Sequence, residues 1–220
     1  MLVNILTSSI GRKVLMALTG LLLSAFLLVH LAGNLLVFTG PRAFNEYSEK
    51  MLSNPLIYVA EIGLLLLFLA HFASGILVYR QNRAARPVAY AKKEPAGYTS
   101  HKSFASSTMI FSGLFLFAFV PFHLVTFKFG SYYQTAGDHP IRDLYRLMME
   151  VFSQPGYVAF YVAAMTIVGF HLWHGVGSAF QSSGIYYRKG LRTFGQIFAI
   201  AIAGGFFVIP ILLYLFGDRL

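Results

Sequence analysis

The sequence predicts an all-α membrane protein of five transmembrane helices, and three observations carry that expectation. Of 220 residues, 57% are hydrophobic and only 11% charged, against roughly 25% charged in ordinary soluble domains. The mean hydropathy is +0.65. The apolar residues gather into five long runs, approximately Lys13 to Phe38, Leu56 to Tyr79, Phe104 to Phe129, Tyr157 to Phe180 and Phe194 to Phe216. Each meets the requirement of about 20 residues for crossing a ~30 Å hydrocarbon core. Together they make residues 1–220 a single integral membrane domain.

The first run is too long for the apolar stretch of a cleavable signal peptide and no small-residue cleavage site follows it, so it is expected to remain as a helix. The second and fourth runs begin after Asn54-Pro55 and Gln154-Pro155-Gly156, where proline suits an early helical position. Their starts, "SNPLIYVA" and "SQPGYVAF", are near-repeats. The third run carries a histidine near its end, and the fifth closes the chain.

Charge between the runs sets the expected orientation. With the N-terminus inside, the inner segments hold Arg12, Lys13, Arg80, Arg83, Arg86, Lys92, Lys93, Lys102, Arg188, Lys189 and Arg192, eleven of the seventeen basic residues. The outer segments hold six, offset by Glu46, Glu49, Asp138, Asp143, Glu150 and Asp218. The excess of Lys and Arg predicts N-in, C-out. The net charge of +9 does not point to nucleic acid, because the basic residues lie in short segments between apolar runs and form no basic face with interleaved aromatics. With no cysteine, disulfides, thiolate-bound iron-sulfur clusters, a cysteine nucleophile and covalent haem attachment are all excluded within this chain.

Histidines stand inside four of the runs, where ionisable groups are expensive and usually functional. His30 lies eighteen residues after Arg12, and His123 nineteen after Phe104, so both fall about 27 Å from the inner ends of their helices. His71 precedes Arg80 by nine residues, as His171 precedes Phe180, which puts both roughly 13 Å from the inner end. Any one of them could simply bond a neighbouring helix. Four, matched pairwise in depth, are what two six-coordinate b-type haems require from a helix bundle. A haem with both axial positions filled by protein transfers electrons, and two stacked haems would form a wire across the membrane.

Gly75 lies four residues after His71 and Gly175 four after His171, one turn along the same face, clearing room for a flat macrocycle. Near His30 the corresponding positions are Gly33 and Asn34. Of the two histidines in "FHLWHG", His171 matches His71 in depth, whereas His174 falls nearly a turn too shallow and is expected to serve as a hydrogen-bond or propionate partner.

The stretches "SSIGRKVLMALTG", "VHLAGNLL", "AFNEYSEKMLSNPLIYVAEI", "FLAHFASGI" and "GFHLWHGVGSAFQSSG" resemble the cytochrome b membrane-anchor subunit of succinate:quinone oxidoreductases (succinate dehydrogenase and fumarate reductase), in its five-helix, two-haem class. The resemblance covers nearly the whole chain. It implies that His30 with His123 hold a distal haem and His71 with His171 a proximal one. It further implies a flavoprotein subunit that carries the succinate or fumarate chemistry and an iron-sulfur subunit docked on the cytoplasmic face of a bacterial-type inner membrane. Electrons would pass through the haems to or from a quinone, expected to be menaquinone. Ser9, Arg12 and Lys13, at the inner mouth of the first helix, become candidates for quinone or propionate contacts. The basic stretch from Arg80 to Lys102 could meet the iron-sulfur subunit, although topology and anionic headgroups explain most of its charge equally well.

Quinone chemistry couples protons to electrons. Glu61 is the carboxylate well inside a helix, six residues after Pro55 and hence ~9 Å below the outer end, near the outer haem's level. Loss of water there disfavours the charged form and suits a proton relay; a protonated glutamate bonded to a neighbouring helix is the equal alternative. Glu46 and Glu49 would line an access path or simply be solvated, and His101 and His139 fall in loops.

Two other readings stay open. A di-haem cytochrome of a hydrogenase or formate dehydrogenase would share the histidine wire with a different electron donor. A haem-free proton-coupled transporter would use the histidines and Glu61 as relays, but the sequence lacks paired broken helices or an evident inverted repeat.

Overall fold

A computed structural model describes residues 8–85, 104–183 and 189–219. Helix α1 runs Ser9–Leu35 and passes through a 3-10 turn, Leu36–Thr39, into α2, Pro41–Leu52; α3 is Leu56–Ala84. After a single turn at Phe104–Ser107 come α4, Met109–His123, and a π-helical segment, Leu124–Lys128. Helix α5 is Leu144–Phe152, α6 is Pro155–Ser182 and α7 is Lys189–Phe216. Among the described residues five helices are long and apolar enough to cross a membrane. The chain is therefore a multi-pass membrane protein whose surroundings are a lipid bilayer.

Local chemistry explains where these helices start. The Ser8 hydroxyl accepts the Gly11 N–H at 3.0 Å and caps α1. Gly40, at φ 101°, takes the left-handed turn that delivers Pro41 to the first position of α2. Asn54 Oδ1 accepts the Leu56 N–H at 2.9 Å as α3 begins, and Pro155 opens α6. The spanning helices run past their hydropathy limits: α3 continues from Tyr79 to Ala84, and α7 begins at Lys189 rather than Phe194. Backbone hydrogen bonding does not stop where the oil does.

The third run departs from expectation. It is not one continuous helix from Phe104 to Phe129, because Thr108 (φ −105°, ψ 6°) leaves the helical region between the opening turn and α4. Pro121 removes a rung inside α4. Directly after His123 the ladder widens, with the Phe129 N–H reaching the Leu124 carbonyl at 2.9 Å, the i→i+5 bond of a π turn.

Two segments expected only as outer loops form α2 and α5, which pack together. Asn45, 2% exposed, joins them: its amide donates to Asp143 Oδ1 at 2.8 Å and its carbonyl accepts the Tyr145 N–H at 2.9 Å. Asp143 also accepts the Arg146 N–H at 3.0 Å, capping α5.

The spanning helices alternate in direction, since Thr19 early in α1 meets His71 late in α3, and Ser112 early in α4 meets His171 late in α6. Helix α1 packs on α3 and α6, and so does α4; α1 faces α4 across the bundle, as α3 faces α6. Helix α7 lies against α6 and also touches α1. Apolar burial does not drive helices together in lipid, so close approach of small residues matters more. A Cβ on Gly195 would come 3.1 Å from the Gly177 nitrogen, and one on Gly205 2.7 Å from Leu31 Cδ2. The buried core accordingly follows α1, α5, α6 and α7, with Leu31, Leu147, Ala164, Val168, Ala199 and Ile202 among its members. Helix α3 adds only Ser74 and Val78 as buried residues.

Candidate functional site

The four membrane histidines meet as two pairs, each across a diagonal of the bundle. His71 of α3 and His171 of α6 have ring centres 6.3 Å apart with planes at 75°. His30 of α1 and His123 of α4 stand 5.8 Å apart at 88°. These are the pairs that depth in the sequence selects. His171, not His174, is the α6 histidine in ring contact with His71; His174 is half-buried one turn further along.

Hydrogen bonds fix how the rings of the first pair present themselves. His71 Nδ1 is 3.1 Å from the Met16 carbonyl and 3.2 Å from Thr19 Oγ1. A carbonyl can only accept, and the Thr19 hydroxyl gives its own proton to the Leu15 carbonyl at 2.7 Å. Nδ1 therefore carries the ring proton, leaving the Nε2 lone pair free. His171 is held in a similar way: its Nδ1 lies 2.9 Å from Ser112 Oγ, a hydroxyl that is also 3.0 Å from the Met109 carbonyl. Anchoring one ring nitrogen so that the other can bind a metal is the usual outer-shell device of histidine sites.

The second pair is held by aromatics as well. His123 Nδ1 lies 3.3 Å from the Tyr161 hydroxyl of α6, and its ring neighbours Phe119 and Phe127. His30 stacks on Phe26 at 5.3 Å and meets Phe206 of α7 at 5.6 Å, so the fifth spanning helix also lines this site. The Asn34 amide donates to the His30 carbonyl at 2.8 Å and stands 3.4 Å from Nδ1.

Two imidazoles on opposite sides of one metal, each bonded at about 2 Å, hold their ring centres about 6 Å apart. Both pairs fit that spacing. Among the described residues no group of three or more His, Cys, Asp or Glu side chains could hold a metal ion, and each histidine pair offers two rings. Two rings are the protein ligands that a six-coordinate b-type haem would take, and each pair would suit one. The glycines near the first pair agree: a Cβ on Gly75 would meet nothing within 4 Å, and one on Gly175 only Met109 Cε, at 4.0 Å. Gly33 serves differently, because a Cβ there would strike Tyr47 Cε1 at 2.8 Å; it makes room for α2.

No family model, curated protein or solved structure matches this chain.

Glu61 has a partner that the sequence did not suggest. Its carboxylate forms an ion pair with Lys128 at the end of the π segment, each side chain about one-third exposed, at 34% and 36%. Glu46 is paired with Arg42 on the exposed face of α2 at 2.7 Å, and His139 is exposed. Arg12 sits on the same face of α1 as Thr19, two turns or ~10 Å nearer the N-terminus, while Ser9 and Lys13 are exposed. Arg86, Lys92, Lys93, His101, Lys102 and Arg188 lie outside the described residues.

Sequence reading missed Thr19, Ser112 and Tyr161, which orient the rings. The available signal was a hydroxyl within an apolar run. It also missed Gly20, whose Cβ would fall 2.9 Å from His71 Cε1; nothing in a single sequence separates that glycine from the others in membrane helices.

Proposed function

We propose that this chain is the di-haem cytochrome b subunit anchoring a succinate:quinone oxidoreductase to the membrane, passing electrons between an iron-sulfur subunit and a membrane quinone. The observation that carries the haem reading is the pair of histidine pairs, each at metal-spanning distance across a diagonal of one bundle. The choice of succinate or fumarate partner rests on the sequence resemblance.

When bound, haem supplies one-electron chemistry. The protein's share is ligation and orientation: His71 and His171 would hold the proximal haem, with Thr19 and Ser112 orienting the rings, and His30 and His123 the distal one. Arg12, above the first pair on the α1 face, suits a propionate or a quinone carbonyl, with Ser9 and Lys13 nearer the mouth. Glu61 is the proton relay for menaquinone. Partner flavoprotein and iron-sulfur subunits would dock at the Ser9 end of α1, on the cytoplasmic side of a bacterial-type inner membrane in the N-in orientation.

A reduced-minus-oxidised spectrum with a haem-to-protein ratio tests the reading, which expects two b haems per chain. A ratio near one would break the pairing scheme. Co-purification with a covalent flavoprotein supports the succinate assignment. Red protein purified with a hydrogenase or formate dehydrogenase partner would instead assign another respiratory complex, and colourless protein would return the transporter.

A further inference from the structure

The two halves of the bundle repeat one design. Met16 to His30 of α1 and Met109 to His123 of α4 align without a gap and share seven of fifteen residues, Gly20, Phe26 and His30 standing opposite Gly113, Phe119 and His123. Helices α3 and α6 align as evenly, from Pro55 and Pro155 to His71 and His171, and each follows a short helix, α2 or α5. Such parallel repeats place equivalent residues about an axis along the bundle. At one level α1 and α4 lend Thr19 and Ser112 to the histidines of α3 and α6. At the other level each supplies its own histidine, and in both the residue one turn before it is phenylalanine. Phe26 lies against His30 at 5.3 Å with planes 16° apart, and Phe119 against His123 at 5.8 Å and 29°. The remaining aromatic neighbours are more steeply inclined: Phe206 at 39° to His30, Phe127 at 55° and Tyr161 at 56° to His123.

We propose that Phe26 and Phe119 are equivalent positioning residues for the second histidine pair, each fixing the plane of the histidine one turn along and together holding the two rings at 88°. This rests on the two-haem reading, in which the angle between two axial ring planes shapes the low-spin ferric signal. A phenylalanine that only stabilised its own helix through an apolar contact at that spacing would be replaceable by leucine, which packs there as well. Leucine has no flat face, so it cannot set the plane of a ring.

The test uses the full chain as purified, with Phe26→Leu, Phe119→Leu, Phe26→Tyr and Phe119→Tyr. Phe117→Leu is the control, because that ring stacks on Phe72 at 3.9 Å rather than on a histidine. In low-temperature electron paramagnetic resonance of the oxidised protein, either Leu variant should lower the low-field g value of one haem signal, the same signal in both, and leave the other in place. The Tyr variants should keep the native signal, and Phe117→Leu should move neither. Loss of that one haem in a Leu variant, with retention in the Tyr variant, supports the proposal equally. Signals unmoved in the Leu variants, signals moved as far by Phe117→Leu, or a haem loss that tyrosine does not prevent would overturn it. Proton NMR of histidine-labelled protein reads the same contact without haem: the ring protons of His30 should move downfield in Phe26→Leu, and those of His123 in Phe119→Leu, as shielding by the stacked phenyl is lost. Colourless protein showing these shifts would sink the cytochrome reading and keep the positioning; colourless protein without them would sink both.

Discussion

The Nδ1 of His171 and the hydroxyl of Ser112 stand 2.9 Å apart, on the neighbouring helices α6 and α4. That hydroxyl also lies 3.0 Å from the Met109 carbonyl, so a serine early in α4 engages Nδ1 and leaves the other nitrogen of the histidine free. Ser112→Ala leaves the buried His171 Nδ1 without this partner, a cost of about 1–3 kcal/mol. It should weaken retention of the proximal haem about 10–100-fold and shift its potential, leaving the distal haem unchanged. Haem titration with redox potentiometry checks this, and two unaltered potentials would deny Ser112 its role.

The two histidines of α6 should separate cleanly. His171→Ala is expected to remove one haem per chain and keep the other, whereas His174→Ala keeps both and shifts a potential at most. Pyridine haemochrome assay against protein concentration decides it, the reverse pattern overturning the assignment.

Gly20 offers a steric test on α1, which packs beside His71. A methyl at this position would lie 2.9 Å from His71 Cε1 and 3.3 Å from its Nδ1, so Gly20→Ala must push the ring away from Thr19 and the Met16 carbonyl. Loss or spectral change of the proximal haem should follow with little effect on the distal one. Gly63→Ala, where nothing lies within 4 Å, is the matched control.

Asn45 should matter for stability without touching either histidine pair directly. Asn45→Ala removes a buried amide that satisfies both Asp143 and the Tyr145 N–H. The cost is about 1–3 kcal/mol for the groups left unpaired, read as a lower unfolding midpoint in detergent. An unchanged midpoint would mean that α2 and α5 dock independently of this clasp.

The five spanning helices were legible because composition alone sets apolar length, and histidine pairing was legible because depth follows from residue number along a rigid helix. The shape of the third run was not. Its hydrophobicity is continuous through Thr108 and Leu124, whereas the break and the π turn concern hydrogen-bond register, which hydropathy does not encode. Helix α5 could have been found: Leu144, Leu147, Met148 and Val151 recur at the spacing of one helical face. It was hidden by lying in a segment otherwise rich in charge and turn residues. Lys128 counted in the sequence only as one of six outer basic residues, and its role as the partner of Glu61 needed coordinates.

The diagonal placement of the histidine pairs also bears on how the bundle coheres. Helices α3 and α4 contribute little to the apolar core, and each faces its histidine partner across the interior rather than along a packed seam. A group ligated across each diagonal would act as one of two crossed struts, tying α3 to α6 and α1 to α4, helices that otherwise share little direct packing. Ligation and cohesion would then be one equilibrium, so haem supply would set how much of this chain survives in the membrane as well as how well it conducts.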